Sequence, residues 1–340
     1  LLAKYEKTIE ISTVDQMVAK QQLHTVEDPP PAQVFVPGFT ARQLPVELSN
    51  INNLQYREDG KLYALAYDGT IYLLSDLSGD GLEETAEVFW KSEGQLRGPI
   101  GMDLTPPEYP PGQGVFVTSK GMCSLIVDTD ADDRADEQIV VADGWKEIGH
   151  GVDGLGVAFN KQDGSVWFGI GTQNFTNGYL VNDKGEADYS LTSERGTILR
   201  VAPDFKSRQI ACTGIRFPVG MRFNSAGDLF CTDQEGATWL PNGNPLDELL
   251  HIESGRHYGF PPAHPKHLPN VIDEPSTFDY GPQHQSTCGF NFNEPLAADG
   301  PIFGPDAWRG DALVTGYSRG KIYRTQLIKT PVGYVAQNQL

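Results

Sequence analysis

One repeated template constrains this chain more than any other feature. LQYREDGKLYAL begins at Leu54, VAFNKQDGSVWFG at Val157 and MRFNSAGDLFCT at Met221. Each copy opens on an apolar residue, a variable one and an aromatic one. It then turns on a glycine and continues in a strand that carries another aromatic. Tyr56 lies four positions before Gly60 and Phe223 four before Gly227, whereas Phe159 lies five before Gly164. Glycine suits such turns because tight hairpins demand a positive φ. Looser copies are IGMDL with VFVTS from Ile100, and CGFNF with ALVTGY from Cys288.

Further strands follow each core: TIYLLSD from Thr70, SLIVDTD from Ser124, GTILRVAPD from Gly196, DELLHI from Asp247 and GKIYRTQL from Gly320. A unit is therefore two to four strands in roughly 45–60 residues, close to one blade of a β-propeller. No helical periodicity competes with this reading. Five units are readable. A sixth blade is expected from the Gln33–Leu44 region or from sequence beyond Leu340, in which case the chain is a fragment. Residues 1–32 read as an extension and linker, with a short helix around Val14 to Gln22 and an extended proline-rich run from Pro29. The propeller is expected over 33–340.

Acidic residues outnumber basic ones by 45 to 26, for a net charge of −19. That field repels phosphate backbones and argues against nucleic acid as a partner. It favours cations or a basic docking partner, although solubility alone accounts for it equally well. No apolar run reaches membrane-spanning length, and the N-terminus lacks both an initiator Met and the shape of a signal peptide. Cys123, Cys212, Cys231 and Cys288 form no CxxC pair and no CxxCH haem site. Two readings stay open: four core thiols, or a Cys212–Cys231 disulfide between neighbouring strands.

Two acidic loops repeat in register. The first places Asp76, Ser78, Asp80 and Glu84 at positions one, three, five and nine; the second places Asp128, Asp130, Asp132 and Asp136 there. Alternate oxygens on a tight loop can converge on a hard cation such as Ca²⁺. The first loop adds Gly81 at position six and Glu87 at position twelve, whereas the second has Asp133 and Ile139. Neither sits between helices, so a complete EF-hand is not expected, and a solvated acidic hairpin is the competing reading.

Three stretches carry a resemblance to a known family. TGIRFPVGMRFNSAGDLFCTDQEGA, DELLHIESGRHYGFP and FGPDAWRGDALVTGYSRGKIYR begin at Thr213, Asp247 and Phe303. They resemble motifs of the soluble quinoprotein glucose and sorbosone dehydrogenases, six-bladed propellers that use pyrroloquinoline quinone (PQQ). In texture the chain is similar to the membrane-bound-dehydrogenase-like propellers of planctomycete-type bacteria, which are often fused to haem c domains. The resemblance implies PQQ and Ca²⁺ as cofactors, a sugar or alcohol as substrate, a c-type cytochrome as electron acceptor, and a periplasmic or extracellular setting. It places the cofactor-binding cation on Arg216, with Arg319 a weaker second. The acidic turn beside the quinone falls on Asp233, Gln234, Glu235 and Gly236, with Asp247 a further metal ligand. The family's Asn after the arginine is Phe217 here.

The base that would take the hydroxyl proton falls in GHGVDGLGVAF. His150 has the natural chemistry, whereas counting from the next turn favours Asp153. A second polar cluster holds His257, His264, His267 and His284, whose spacing is not diagnostic of a metal. Trp239, Tyr258 and Phe260 nearby would stack on sugar rings if exposed. Two functions therefore remain open: a PQQ-dependent dehydrogenase, or a non-catalytic, calcium-stabilised binding or assembly module.

Overall fold

A computed structural model of the chain describes residues 32, 34, 36–147, 151–172, 191–236, 245–261, 270–297 and 299–339. The chain divides into two compact units, 1–45 and 46–340. The expected helix near Val14 lies outside the described residues. The strand expected over Gln33–Leu44 does not form in the part described: residues 36–50 carry none. The physical reason is local. Pro37 and Pro45 lack backbone donors, and Gly38 turns the chain at φ 86°.

The second unit is a β-propeller with five four-stranded antiparallel sheets among the described residues. The first sheet is β1 (Ile51–Tyr56), β2 (Leu62–Ala66), β3 (Ile71–Ser75) and β4 (Thr85–Trp90). The second is β5 (Met102–Leu104), β6 (Gln113–Ser119), β7 (Met122–Asp128) and β8 (Glu137–Asp143). The third is β9 (Gly154–Phe159), β10 (Val166–Ile170), β11 (Thr197–Val201) and β12 (Arg208–Thr213). The fourth is β13 (Pro218–Phe223), β14 (Leu229–Asp233), β15 (Asp247–Ile252) and β16 (Phe278–Tyr280). The fifth is β17 (Thr287–Phe292), β18 (Ala312–Gly316), β19 (Lys321–Thr330) and β20 (Gly333–Gln339). Every template copy supplies the innermost strand of one blade.

The core lies between blades rather than within them. Side chains alternate across a strand, so one strand feeds two interfaces. On β6, Val115 and Val117 pack toward the first blade, while Phe116 packs toward the third. On β14, Leu229 and Cys231 pack toward the third blade, while Phe230 packs toward the fifth. Strands covered on both faces read as continuous apolar runs, which is why β2, β10 and β14 are buried at every position. Cys212 and Cys231 share the interface between the third and fourth blades as free thiols. Of the two readings, these two cysteines are core thiols and the Cys212–Cys231 disulfide does not form. Burial pushes the Cys212 thiol up to about 12.

Consecutive innermost strands approach closely around the axis. Gly101 N–H donates to Thr118 Oγ1 at 3.1 Å, and that hydroxyl donates to Leu155 O on β9. The fourth blade repeats the device: Gly220 N–H donates to Thr232 Oγ1 at 2.9 Å, which donates to Cys288 O on β17 at 2.6 Å. A Cβ on Gly101 would lie 2.1 Å from Leu155 O, and one on Gly220 would lie 2.6 Å from Cys288 O. Arg222 then crosses the axis. From β13 it donates to Met102 O at 3.1 Å and to Gln55 Oε1 at 3.2 Å, reaching the second and first blades.

These contacts make the axial glycines the least replaceable positions of the repeat. Gly101→Ala is expected to cost about 1–3 kcal/mol through overpacking. Gly289→Ala, at the matching position of β17 with nothing within 4 Å, is expected to stay within about 0.5 kcal/mol of the parent. Urea unfolding of the two variants checks this, and equal losses would contradict the packing account.

Candidate functional site

The innermost strands begin at one mouth of the axial channel, and the register of four of them shifts there, at Ile51/Asn53, Gly154/Val157, Pro218/Gly220 and Thr287/Phe290. Such bulges re-aim side chains at strand ends. Asp153 directly precedes β9 and Arg216 lies just before β13. Asp233 closes β14, and Asp247 opens β15.

These segments are tied by backbone hydrogen bonds. Gly171 N–H donates to Asp153 O at 3.3 Å, and the next N–H, of Thr172, donates to Arg216 O at 3.0 Å. The Asp153 and Arg216 loops therefore flank one two-residue stretch. Asp233 accepts the N–H of Arg216 at 2.8 Å and that of Phe217 at 2.5 Å. The Arg216 guanidinium returns to the turn, donating to Gln234 O at 2.5 Å. Gln234 donates to Thr287 O at 2.8 Å and to Cys288 Sγ at 3.3 Å, and Gly236 turns at φ 76°.

Asp247 is fully buried. It accepts Glu235 N–H at 2.8 Å, Gln285 N–H at 2.8 Å and His284 Nδ1 at 3.0 Å. It thus pins the acidic turn to the loop before β17. Arg319 sits exposed on the rim and donates to Gln283 Oε1. Ser318 N–H donates to Gln285 O at 3.1 Å, so the Arg319 turn rests on the same loop.

The electrostatics are dominated by buried acids. Desolvation pushes Asp233 up to about 6, against the pull of the Arg216 and Phe217 N–H groups and the Arg216 charge. Burial drives Glu235 and Glu248 well above the carboxylate range, and Asp233 adds to both. Burial lowers Arg216, offset in part by Glu235, Asp233 and Asp247. The resulting centre holds one buried guanidinium among four acids. A bound cation would offset the crowded charge, but both oxygens of Asp233 and of Asp247 are already engaged, and among the described residues carboxylate oxygens converge within 4.8 Å only in the Asp128 loop. An anionic quinone fits only where such a cation offsets the acids.

Sequence reasoning missed several partners. Asp153 is fully buried, accepts Trp145 Nε1 at 2.9 Å and is ion-paired with Arg195. Glu248 is the cross-strand partner of Asp233, a like-charge pairing that is costly without a cation. His150 lies outside the described residues, as do Trp239, His264 and His267. Tyr258 and Phe260 are 5% and 4% exposed, so neither offers a face to a sugar; that expectation is corrected. They pack under the Gly214 loop instead, with Tyr258 N–H on Thr213 O at 2.9 Å and Phe260 N–H on Gly214 O at 3.0 Å. His257 is buried beside Asp273, 2.9 Å away.

The acidic loops lie elsewhere, at the β3–β4 and β7–β8 turns. Asp76 accepts the N–H groups of Gly79 and Gly81, each at 2.7 Å. Glu84 accepts those of Leu77 at 3.0 Å and Ser78 at 2.7 Å, while Asp80 accepts Leu82 N–H at 2.9 Å. Glu87 stands exposed on β4 opposite Leu73, past the Ser75–Thr85 closure of the hairpin. In the second loop, oxygens of Asp128, Asp130 and Asp136 lie within 4.8 Å of one another. Asp132 accepts Arg134 N–H at 2.9 Å, and Asp133 pairs with Arg57 at 2.7 Å and with Lys61. The neighbouring Asp132 charge raises Asp130.

A family model described as Domain of unknown function (DUF7133) matches residues 46–283. No curated protein matches the chain. Among solved structures, the PQQ-bound aldose sugar dehydrogenase of Streptomyces coelicolor aligns with TM-score 0.62 and 17% identity, covering 92% of this chain and 86% of that one. An oxidoreductase described as a glucose dehydrogenase, from Thermus thermophilus, aligns with TM-score 0.61 and 18% identity over 88% and 86% of the two chains. A calcium structure of the carbohydrate-active family AA12 protein of Trichoderma reesei aligns with TM-score 0.58 and 12% identity over 92% and 99%. At these identities the likeness establishes the fold.

The buried acids predict a pH dependence with a definite sign. Asp233 ionises near 6 in the folded chain against an ordinary 3.8. Its protonated form therefore favours folding, and that stability is present below pH 3.8 and lost as pH rises through 6. Relative to the parent, Asp233→Asn should gain stability as pH is raised from about 4 to 7. Urea midpoints across that range check it; a pH-independent difference would contradict the burial account.

Proposed function

Since the chain belongs to the family described as Domain of unknown function (DUF7133) and has the propeller fold of PQQ-binding sugar dehydrogenases, we propose that it is an oxidoreductase of that kind. It takes Ca²⁺ and PQQ at the mouth where Arg216, the Asp233–Gly236 turn and Asp247 meet, and acts on a sugar or alcohol hydroxyl. The observation that carries the reading is the buried Arg216 guanidinium held among buried acids at the channel mouth. When bound, the quinone supplies the two-electron acceptor. Arg216 offers a fixed cation to an anionic oxygen, Glu235 and Glu248 offer carboxylates to the metal, and Asp247 holds the turn in place. Proton removal falls to His150 or Asp153. Arg319, on the rim, meets an incoming anion. Electrons leave to a haem protein such as a c-type cytochrome, in a periplasmic or extracellular setting. No helix among the described residues is long and apolar enough to cross a membrane.

A second reading, a calcium-stabilised binding or assembly module, draws on one specific observation. Asp153 is already held by Arg195 and Trp145, which ties up one of the two candidate bases. Reconstitution separates the readings. With PQQ and Ca²⁺, the parent should bind the quinone at micromolar concentration and reduce a dye with one of a panel of sugars and alcohols. Arg216→Ala should abolish quinone binding, while Asp153→Asn and His150→Ala should keep binding and lose dye reduction separately. Absence of quinone binding by the parent sinks the enzyme reading.

The calcium loops are tested independently of the mouth. If Asp128, Asp130 and Asp136 ligate Ca²⁺, with Asp76 and Asp80 doing so in the first loop, EDTA should lower the melting temperature. Asp130→Ala and Asp80→Ala should each remove part of that response. An unchanged melting curve would leave two solvated hairpins.

A further inference from the structure

We infer that the opposite mouth of the channel, where the innermost strands end, is a second binding site for a neutral polyhydroxylated molecule such as a saccharide. A cavity of about 320 Å³ opens there, at the small end of the range of ligand pockets, ~300–1,000 Å³. It lies a strand's length from the Arg216 mouth: Arg216 precedes β13, whereas Arg222 and Phe223 end it. Six residues of strand span about 20 Å. The inference does not rest on the quinone reading, because it uses none of the same residues.

The lining comes from the repeat itself. The variable position between the apolar and aromatic residues of the template is Gln55, Asp103, Arg222 and Asn291 in four of the five blades, and all four line the cavity. Asn160, just past β9, contributes from the remaining blade. Gln55, Asp103 and Arg222 form one hydrogen-bonded floor. Arg222 donates to Gln55 Oε1 at 3.2 Å, Gln55 Nε2 donates to Asp103 Oδ1 at 3.0 Å, and Asp103 Oδ2 accepts Phe159 N–H at 2.7 Å.

The chemistry of that floor selects the ligand class. Three cations (Arg57, Lys161 and Arg222) and three carboxylates (Glu58, Asp103 and Glu294) line the cavity and cancel, with Lys161 and Glu58 4.0 Å apart at the rim. An anion would face the −19 charge of the whole chain without a compensating centre. A metal ion would find Asp103 with both oxygens already engaged. Hydrogen-bond donors, however, are in surplus. Asn160 spends its side-chain oxygen on Gln162 N–H at 2.9 Å and Asn291 spends its own on Phe292 N–H at 3.1 Å. Each amide NH₂ is left for another acceptor. Hydroxyl groups accept from such donors and return protons to carbonyl and carboxylate oxygens. Tyr56 and Phe223 border the cavity and supply aromatic edges for the apolar faces of a sugar ring.

Isothermal titration with glucose, cellobiose, maltotriose and glucose 6-phosphate tests the assignment on the quinone-free chain. At least one neutral sugar should bind with millimolar affinity or better. The double substitution Asn160→Ala, Asn291→Ala should weaken it at least tenfold, while Arg216→Ala leaves it unchanged. Should the double variant lose its thermal transition, Asn291→Asp, which keeps the shape and removes the donors, takes its place with the same expectation. Absence of binding by all three neutral sugars overturns the proposal. So does binding that survives the asparagine substitutions, or binding lost in Arg216→Ala, which places the sugar at the other mouth. Glucose 6-phosphate binding more tightly than glucose, in a manner lost with the asparagines, would mark an anion site and also overturn it.

Discussion

The close approach of one innermost strand to the next is the constraint on which the remaining geometry depends. At Gly101 and Gly220 a glycine N–H meets a threonine hydroxyl of its own blade, which in turn meets a carbonyl of the following blade. Only a residue without Cβ leaves room for that relay. Gly156 plays the same steric part without the hydroxyl: a Cβ there would lie 2.7 Å from Met221 Cγ and 2.9 Å from Val219 O. Once the strands are this close, their sheets splay outward and the apolar surface must be buried between blades. The four interface clusters follow from that.

Close packing at the axis also fixes the electrostatics of the Arg216 mouth. Strand ends brought together leave unpaired N–H groups, and buried carboxylates satisfy them: Asp233 takes two, and Asp247 takes two together with His284. A buried carboxylate is tolerated when it is hydrogen-bonded, and costly when others crowd it. Asp233 and Asp247 meet the first condition, while Glu235 and Glu248 suffer the second. The mouth is therefore built by two acids and stressed by two more.

The fold was largely legible because its signals are local. Turn glycines, the apolar-x-aromatic start and the alternation of strands all fall within a dozen residues, and the five innermost strands lie where the template copies predict them. Arg216 and the turn Asp233–Gly236 came instead from the family resemblance, and the structure ties them together through Asp233 and Gln234. What could not be read was long-range pairing. Nothing in the sequence near Asp153 announces Arg195, 42 positions away, and nothing near Asp247 announces Gln285. Tyr258 and Phe260 read as sugar platforms by composition, yet the loop they sit on packs against Gly214, and a Cβ at Gly214 would lie 2.7 Å from Tyr258 N. The Gln33–Leu44 strand does not form in the part described, where Pro37 removes a backbone donor and Gly38 turns the chain.

One template produces two chemically different mouths, and the pleat explains how. Residues before the strand are free of the alternation that buries neighbours, so loops there can gather acids around one arginine. Residues inside the strand are bound to it: in the second to fifth blades the positions on either side of the variable one pack into the blade interfaces, whereas Leu54 and Tyr56 of the first blade are 56% and 42% exposed. In the five blades the variable position is Gln55, Asp103, Ala158, Arg222 and Asn291. Ala158 is the exception. It is fully buried in the interface between the third and fourth blades, and Asn160, two positions later and beyond the strand end, lines the cavity in its place. The polar character of the far mouth is thus carried by the variable position of four blades and by Asn160. Three of those residues, Gln55, Asp103 and Arg222, bridge blades across the axis, so the far mouth's polar groups are held in place by the same contacts that line its cavity.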